Sequence, residues 1–271
     1  MECILPYIKT QEISIYYEIA GEGKPVLFIG GTGADLRVKP NVLDGPLPKA
    51  MKVLVYDQRG LGQTDKPKGP YTMAQYADDA VHLLDELGLD RVHVVGVSFG
   101  GMVAQHLALR HPGRIDSLVL CCTSAGGSSM SYPFHELPID LTPTERLRIM
   151  LGISDLRCDE QWQARNPNKI DAMIKYTQNH AVAAHQTSEF KRGSNLQLQA
   201  RADHDLSDRL GGITIPTLLC AGKYDGIAPV SNQEFLHSNL PNSSLEWFEG
   251  GHIFLVQDKR AWTAIIEFLS E

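Results

Sequence analysis

Residues 94–101 read VVGVSFGG, and this stretch decides the fold. An apolar run ends at a glycine, one serine follows, and glycines then resume. Residues 96–100 match the pattern G-x-S-x-G, which is typical of a sharp turn between a buried strand and a helix. The residues two before and two after such a serine come close together, so Gly96 and Gly100 suit the turn. We therefore expect Ser98 to be lifted above the edge of a sheet.

The sequence on both sides of this turn alternates between two periods. Continuous apolar runs predict strands that are buried on both faces: PVLFI, KVLVY, RVHVVGV, IDSLVLCC and PTLLCAG. Between them, MAQYADDAVHLLDELGL and FGGMVAQHLALRHP have helical spacing and end at a glycine and a proline. The alternation predicts an α/β fold with a mostly parallel central sheet and helices on both faces.

The alternation of strands and helices stops after the run that ends at Cys122. Residues 126–204 contain little strand pattern, and TPTERLRIMLG, DEQWQARN and PNKIDAMIKYTQNHAVAAHQ predict short helices. The strand pattern returns with PTLLCAG. We interpret residues 1–125 and 205–271 as one core domain and residues 126–204 as a helical cap inserted above Ser98. Trp162 and Met173 are our first choices for cap side chains that face a substrate pocket.

A serine hydroxyl does not ionise near neutral pH, so a nucleophilic Ser98 needs a base and an orienting acid. In this architecture the order along the chain is serine, acid, histidine. Asp225 follows the run PTLLCAG, and His252 follows SSLEWFEGG, which predicts the last strand, so both are expected at the carboxyl edge of the sheet. Asp57 is the rival acid, but its setting before QRGLG favours a turn-stabilising role. Glu249 lies close enough to His252 in sequence to tune it.

Four other histidines are assigned structural or surface roles: His82, His93, His106 and His111.

A tetrahedral intermediate would need two backbone donors for its oxyanion. The Phe99 N–H lies at the start of the helix after Ser98, and the loop after PVLFI supplies the second donor, for which Thr32 is the candidate. The alternatives for this loop are a plain glycine-rich turn or a phosphate cradle. Neither GxxxxGK[ST] nor a full GxGxxG occurs in the sequence, which disfavours a nucleotide site.

Composition limits the partners. The chain has 271 residues and a formal net charge of -7, and it has no run of lysine or arginine, so nucleic acid and anionic membranes are not expected. No signal peptide or membrane-spanning run is apparent, and the five cysteines suit free thiols in a reducing cytoplasm. No Cys/His spacing predicts a metal site. We expect no cofactor and a small-molecule substrate, and we leave a homodimer open.

Over nearly its whole length the sequence resembles the α/β-hydrolase superfamily. The resemblance rests on PVLFIGGTG, VLVYDQRGLGQTDKP, VVGVSFGGMVAQHLALRHPGRIDSLVLCC, PTLLCAGKYDGIAP and EGGHIFLVQ. Within the superfamily the chain is most similar to small esterases and lactonases grouped with 3-oxoadipate enol-lactonases. Many relatives carry His-Gly before the oxyanion residue, whereas Gly30 stands here.

The resemblance implies that Ser98, Asp225 and His252 form a catalytic triad and that Thr32 and Phe99 form the oxyanion hole. It also implies hydrolysis of a carboxylic ester or lactone of a small, partly apolar molecule. Carbon–carbon bond hydrolysis, cofactor-free oxygenation and acyl transfer use the same triad within this superfamily and stay open. A ligand sensor with little turnover is the alternative from an unrelated functional class.

Overall fold

One mixed sheet organises the computed structural model, which describes residues 6–138, 140–179 and 182–271. The strand order is β1-β2-β4-β3-β5-β6-β7-β8. Strand β2 pairs antiparallel with both of its neighbours, β1 and β4, and all the other neighbouring strands pair parallel. The strands are β1 (Tyr7–Lys9), β2 (Ser14–Ala20), β3 (Pro25–Ile29), β4 (Lys52–Tyr56), β5 (Val92–Val97), β6 (Ile115–Cys121), β7 (Thr217–Gly222) and β8 (Ser243–Phe248). The predicted mostly parallel sheet is confirmed, and β1 is a short strand that we did not predict.

Helices cover both faces of this sheet and fill the segment between β6 and β7. They are α1 (Met73–Glu86), α2 (Phe99–Arg110), α3 (Pro143–Ser154), α4 (Glu160–Arg165), α5 (Pro167–Asn179), α6 (Ser188–Ala202), α7 (Val230–Asn239), α8 (Phe254–Gln257) and α9 (Arg260–Ser270). None of the helices in the described part of the chain is long and apolar enough to cross a bilayer.

The apolar runs form central strands because alternate side chains are buried on opposite faces. In β3, Leu27 belongs to the core cluster that α1 and α2 cover, whereas its neighbour Val26 belongs to the cluster that α9 covers. Both side chains are fully buried. Because both faces of such a strand are buried, apolar and polar residues do not alternate along it, and its sequence is a continuous apolar run.

The sheet has a topological switch point between β3 and β5. From β3 the chain goes to β4 on one side and then crosses to β5 on the other. The loops after β3 and β5 therefore diverge, and a crevice opens at the carboxyl ends of these two strands. Ser98 follows β5 and Thr32 follows β3, so the topology brings both to this crevice.

The two ends of the segment between β6 and β7 lie side by side. Gly126 and Asp205 form an isolated antiparallel bridge, and the Leu206 N–H donates to the Ala125 carbonyl at 2.8 Å. The predicted helix over PNKIDAMIKYTQNHAVAAHQ begins at Pro167 as α5 and ends at Asn179. Residues 180 and 181 of that prediction lie outside the described part, as do Cys3 and Ile139. Helix α6 was not predicted.

Candidate active site

Ser98 occupies a strained turn at the junction of β5 and α2. Its backbone has φ 55° and ψ −117°, a conformation that costs a non-glycine residue about 1–3 kcal/mol. A Cβ on Gly96 would lie 2.5 Å from the Gly100 carbonyl oxygen, so the backbone segments before and after Ser98 can approach this closely only because Gly96 has no side chain. The turn is held by the Ser98 N–H, which donates to the Cys121 carbonyl at 2.8 Å, and by Thr123 Oγ1, which donates to the Ser98 carbonyl at 2.8 Å.

Ser98, His252 and Asp225 form a continuous hydrogen-bonded chain. His252 Nε2 lies 2.9 Å from Ser98 Oγ, and His252 Nδ1 lies 2.8 Å from Asp225 Oδ2. The other carboxylate oxygen, Oδ1, accepts the backbone N–H groups of Ile227 and Ala228 at 2.7 and 2.9 Å. Asp225 is buried and fixed from both sides, so it can hold the imidazole in one orientation and stabilise a positive charge on it.

A thiol lies beside the acid of this chain. Ligand atoms of Cys122, Asp225 and His252 all lie within 4.8 Å of one another. Burial and the charge of Asp225 raise the pKa of the Cys122 thiol well above its usual value, so it is neutral and a poor metal ligand at pH 7. Because Asp225 and His252 also bind each other, they suit the orientation of an imidazole by a carboxylate better than a metal centre.

The glycine-rich loop after β3 lies directly beside Ser98. A Cβ on Gly31 would lie 3.5 Å from the Ser98 Cβ, and Thr32 lines the same cavity as Ser98. Phe99 is the first residue of α2, so its N–H has no acceptor within the helix. Its ring is buried against Tyr76 at a centroid distance of 5.0 Å. The proposed oxyanion residues therefore approach Ser98 from two sides.

Two glutamines that the sequence reasoning missed hold this loop in place. Gln58 Nε2 donates to the Gly30 carbonyl at 2.9 Å, and the Gly33 N–H donates to Gln197 Oε1 at 2.9 Å. Gln197 is fully buried and belongs to α6, so the segment between β6 and β7 contacts the oxyanion loop directly. No motif marks either glutamine, because each acts through a contact distant in sequence.

A second polar contact joins the same segment to the core. His185 Nε2 lies 2.8 Å from Asp35 Oδ2, and Arg37 binds the Asp35 carboxylate through Nε and Nη2. Burial raises the pKa of Asp35, but the hydrogen bonds from Arg37 and His185 outweigh burial and lower it to about 2. Asp35 is therefore ionised at neutral pH, and its contact with His185 joins the segment between β6 and β7 to the loop after β3.

The rival residues have other partners. Asp57 accepts the Leu36 and Gln63 backbone N–H groups at 2.8 and 2.7 Å, as expected for a turn-stabilising side chain. Glu249 forms a surface ion pair with Lys223.

Three of the other histidines bind structural partners: His93 binds Ser117, His106 binds His204, and His111 binds Asp78.

A cavity of about 540 Å³ opens above Ser98 and His252. Its other lining residues are mostly apolar: Gly31, Thr32, Val97, Phe134, Leu137, Arg146, Met150, Ser154, Leu198, Ile227, Ile253, Leu255 and Val256. Six of these come from the segment 126–204, which forms one wall of the cavity. Such a lining suits a small, partly apolar molecule.

The two cap residues chosen from the sequence were wrong. Trp162 and Met173 do not line this cavity. Lys169 Nζ lies 5.3 Å from the Trp162 ring centroid, and Met173 lines a surface depression on α5. Helix α3 and helix α6 supply the wall instead, through Met150 and Leu198. Apolar composition could not reveal which helix of the segment 126–204 faces the crevice.

Known proteins resemble this chain in sequence and in fold. The family model described as "alpha/beta hydrolase fold" matches residues 24–146. The RutD protein of a Caulobacter species, named as a candidate carbamate hydrolase, is 31% identical over 83% of this chain and 82% of its own length. The poly(3-hydroxyalkanoate) depolymerase of Ectopseudomonas oleovorans is 28% identical over 91% of this chain and 84% of its own.

A solved structure matches over the whole fold. The enol-lactonase from Burkholderia xenovorans aligns with a TM-score of 0.78 and 26% identity, covering 98% of this chain and all of its own. The expected fold class and superfamily are confirmed.

Proposed function

Because the chain belongs to the α/β-hydrolase family, we propose that it hydrolyses a carboxylic ester or lactone through Ser98, His252 and Asp225. The observation that supports the proposal is the hydrogen-bonded chain of these residues, with Ser98 Oγ at the floor of the cavity. A serine beside a histidine that a buried carboxylate orients is the arrangement that nucleophilic acyl transfer needs.

In the first half of the reaction, Ser98 Oγ attacks the acyl carbon while His252 Nε2 takes the hydroxyl proton. The imidazolium that forms is stabilised by its hydrogen bond to Asp225 Oδ2. The negative charge on the carbonyl oxygen is met by the N–H groups of Thr32 and Phe99. Collapse of the tetrahedral intermediate breaks the bond to the alcohol oxygen, and His252 gives its proton to that leaving group. An acyl-enzyme on Ser98 remains.

In the second half, water attacks the acyl-enzyme. His252 Nε2 takes one proton from this water, and the hydroxyl adds to the acyl carbon. The second intermediate collapses, the acid is released, and Ser98 Oγ regains its proton from His252. The chemistry uses groups of this chain and water throughout, so no cofactor is required.

The apolar cavity supports a small acyl compound as substrate. An ester, a lactone and a carbamate each offer a carbonyl carbon to Ser98, and relatives are named for enol-lactone, polyester and carbamate substrates. The cavity of about 540 Å³ holds a molecule of modest size, and its mostly apolar wall, which includes one cation, Arg146, supports a partly apolar acyl group.

A substrate panel tests this proposal. The purified protein is assayed with p-nitrophenyl esters of two to eight carbons, five- and six-membered lactones, an alkyl carbamate and an unsaturated 1,5-diketone acid. We expect multiple turnovers with esters or lactones at a kcat/KM at least a hundredfold above that for the diketone. Preferential cleavage of the diketone would instead support carbon–carbon hydrolysis. Binding of every compound without turnover would indicate a sensor.

A further inference from the structure

A small cavity lies between the loop after β6 and helix α6, apart from the catalytic cavity. Its lining includes Met102, Ser124, Ser131, His135, Arg201 and His204. The centre of a water-sized sphere can occupy about 10 Å³ there, which is room for a single small particle. Among the residues that the structure describes, none lines both this cavity and the catalytic one.

Arg201 brings an unpaired charge to this cavity. The residue is only 6% exposed, and Nη2 donates to Ser131 Oγ at 2.6 Å. The buried Nε has no acceptor, and no carboxylate of the described residues forms an ion pair with the guanidinium. Burial lowers the pKa of Arg201 to about 10, so it is still protonated at pH 7. The Phe134 ring lies 4.6 Å from Arg201 Cζ and offsets part of the cost of burying this cation, but no negative charge among the described residues offsets the rest.

Hydroxyl groups around the cavity have unused donors. The buried Ser124 Oγ has no hydrogen-bond partner in the described part of the chain. Ser131 Oγ accepts from Arg201, and within the described residues its own proton has no acceptor. His204 adds no charge, because burial lowers its pKa to about 4 and Nε2 faces the Ser124 carbonyl at 3.1 Å. One cation and two hydroxyl donors therefore surround the space.

We propose that Arg201, Ser124 and Ser131 bind one small monovalent anion of the size of chloride. A water molecule in this space would satisfy hydrogen bonds but leave the guanidinium with the Phe134 ring and no negative charge, whereas an anion supplies both the acceptor and the counter-charge. The remaining volume is too small for a carboxylic acid or a phosphate. The anion would join α6 to the loop after β6. It would also lie behind Phe134, because Arg201 Cζ lies 4.6 Å from the ring centroid of Phe134, which lines the catalytic cavity.

Thermal unfolding in different salts tests this site in solution. Sodium chloride is exchanged for sodium gluconate at constant ionic strength, and the melting temperature is measured at each chloride concentration. If chloride binds only the folded state, each tenfold increase in chloride concentration above Kd raises the ratio of folded to unfolded protein tenfold. That increase in stability raises Tm by roughly 3 °C. We expect this rise for the natural protein.

Matched variants locate the effect. Arg201→Met should abolish the chloride dependence, whereas Arg192→Met, an exposed arginine of the same helix, should retain it. Crystals grown in bromide should show one anomalous peak within about 3.5 Å of Arg201 Nε.

A melting temperature that is equal in chloride and gluconate would overturn the proposal, whether or not Arg201→Met folds. A bromide peak without any dependence in solution would also overturn it, because it would reflect binding at crystal concentration only. A water molecule, and no bromide, refined in the cavity of crystals grown in bromide would also overturn the proposal.

Discussion

Replacing Gln197 with methionine should separate catalysis from substrate binding. The change keeps the side-chain volume in a fully buried position but removes the acceptor of the Gly33 N–H. Gly33 follows Thr32, so the loop that carries the proposed oxyanion donor loses its anchor to α6. One hydrogen bond of this kind contributes about 0.5–1.5 kcal/mol, and loss of a whole oxyanion donor costs about a hundredfold or more. We expect kcat to fall by about tenfold.

The Michaelis constant should change little, because Gln197 does not line the catalytic cavity. The loss should also be the same for acetate and octanoate esters, since every substrate forms the same oxyanion. Steady-state kinetics of both esters, measured well below the melting temperature of the variant, provides the test. A variant that merely destabilises the fold would lose active protein without this split between kcat and KM.

Gln199→Met is the matched control, because Gln199 is an exposed glutamine of the same helix. It should leave kcat unchanged. An unaltered kcat in Gln197→Met, or an equal loss in both variants, would refute the role of Gln197 as a positioning residue.

Three further predictions concern the triad, the cap and acid stability. Asp225→Asn should fold normally and reduce kcat by about 10³–10⁴, measured with an acetate ester; retention of most activity would place the acid elsewhere. Met150→Ala and Leu198→Ala should change the octanoate-to-acetate ratio of kcat/KM by about tenfold, whereas Trp162→Ala should not; a uniform loss would contradict this. The pKa of Asp35 lies near 2 in the fold against 3.8 for a free carboxyl, so its contribution is complete above about pH 4 and is lost as pH falls through 2. Urea unfolding should show that loss, about 2 kcal/mol, and Asp35→Asn should remove it; an unchanged pH profile would contradict the assignment.

The sequence was sufficient for those features that depend on local pattern. The continuous apolar runs and the G-x-S-x-G turn predicted the sheet and the position of Ser98, because burial on both faces and close backbone approach leave direct marks in the sequence. The chain order of acid and histidine predicted that His252 would contact Ser98 and that Asp225 would contact His252. His252 Nε2 lies 2.9 Å from Ser98 Oγ, and His252 Nδ1 lies 2.8 Å from Asp225 Oδ2.

The segment 126–204, the proposed cap, was harder to predict because its contacts are distant in sequence. Helix α6 has polar residues on several sides, since Gln197 and Arg201 are buried against the core, so no apolar stripe indicated a helix there. Trp162 was chosen for its apolar bulk, but its position depends on how α4 packs beside α5. Which helix faces the crevice is decided by packing between elements, and periodicity within one element does not carry that information.

Covalent labelling of Ser98 tests the central claim most directly. The native protein is treated with a fluorophosphonate probe, and intact-mass and peptide analysis then count and locate the adducts. We predict one adduct per chain, on Ser98, with loss of ester hydrolysis in proportion to labelling. Ser98→Ala should fold, take up no probe and have no measurable turnover. An adduct on another residue, or Ser98→Ala with activity near that of the natural protein, would contradict the assignment of Ser98 as the nucleophile.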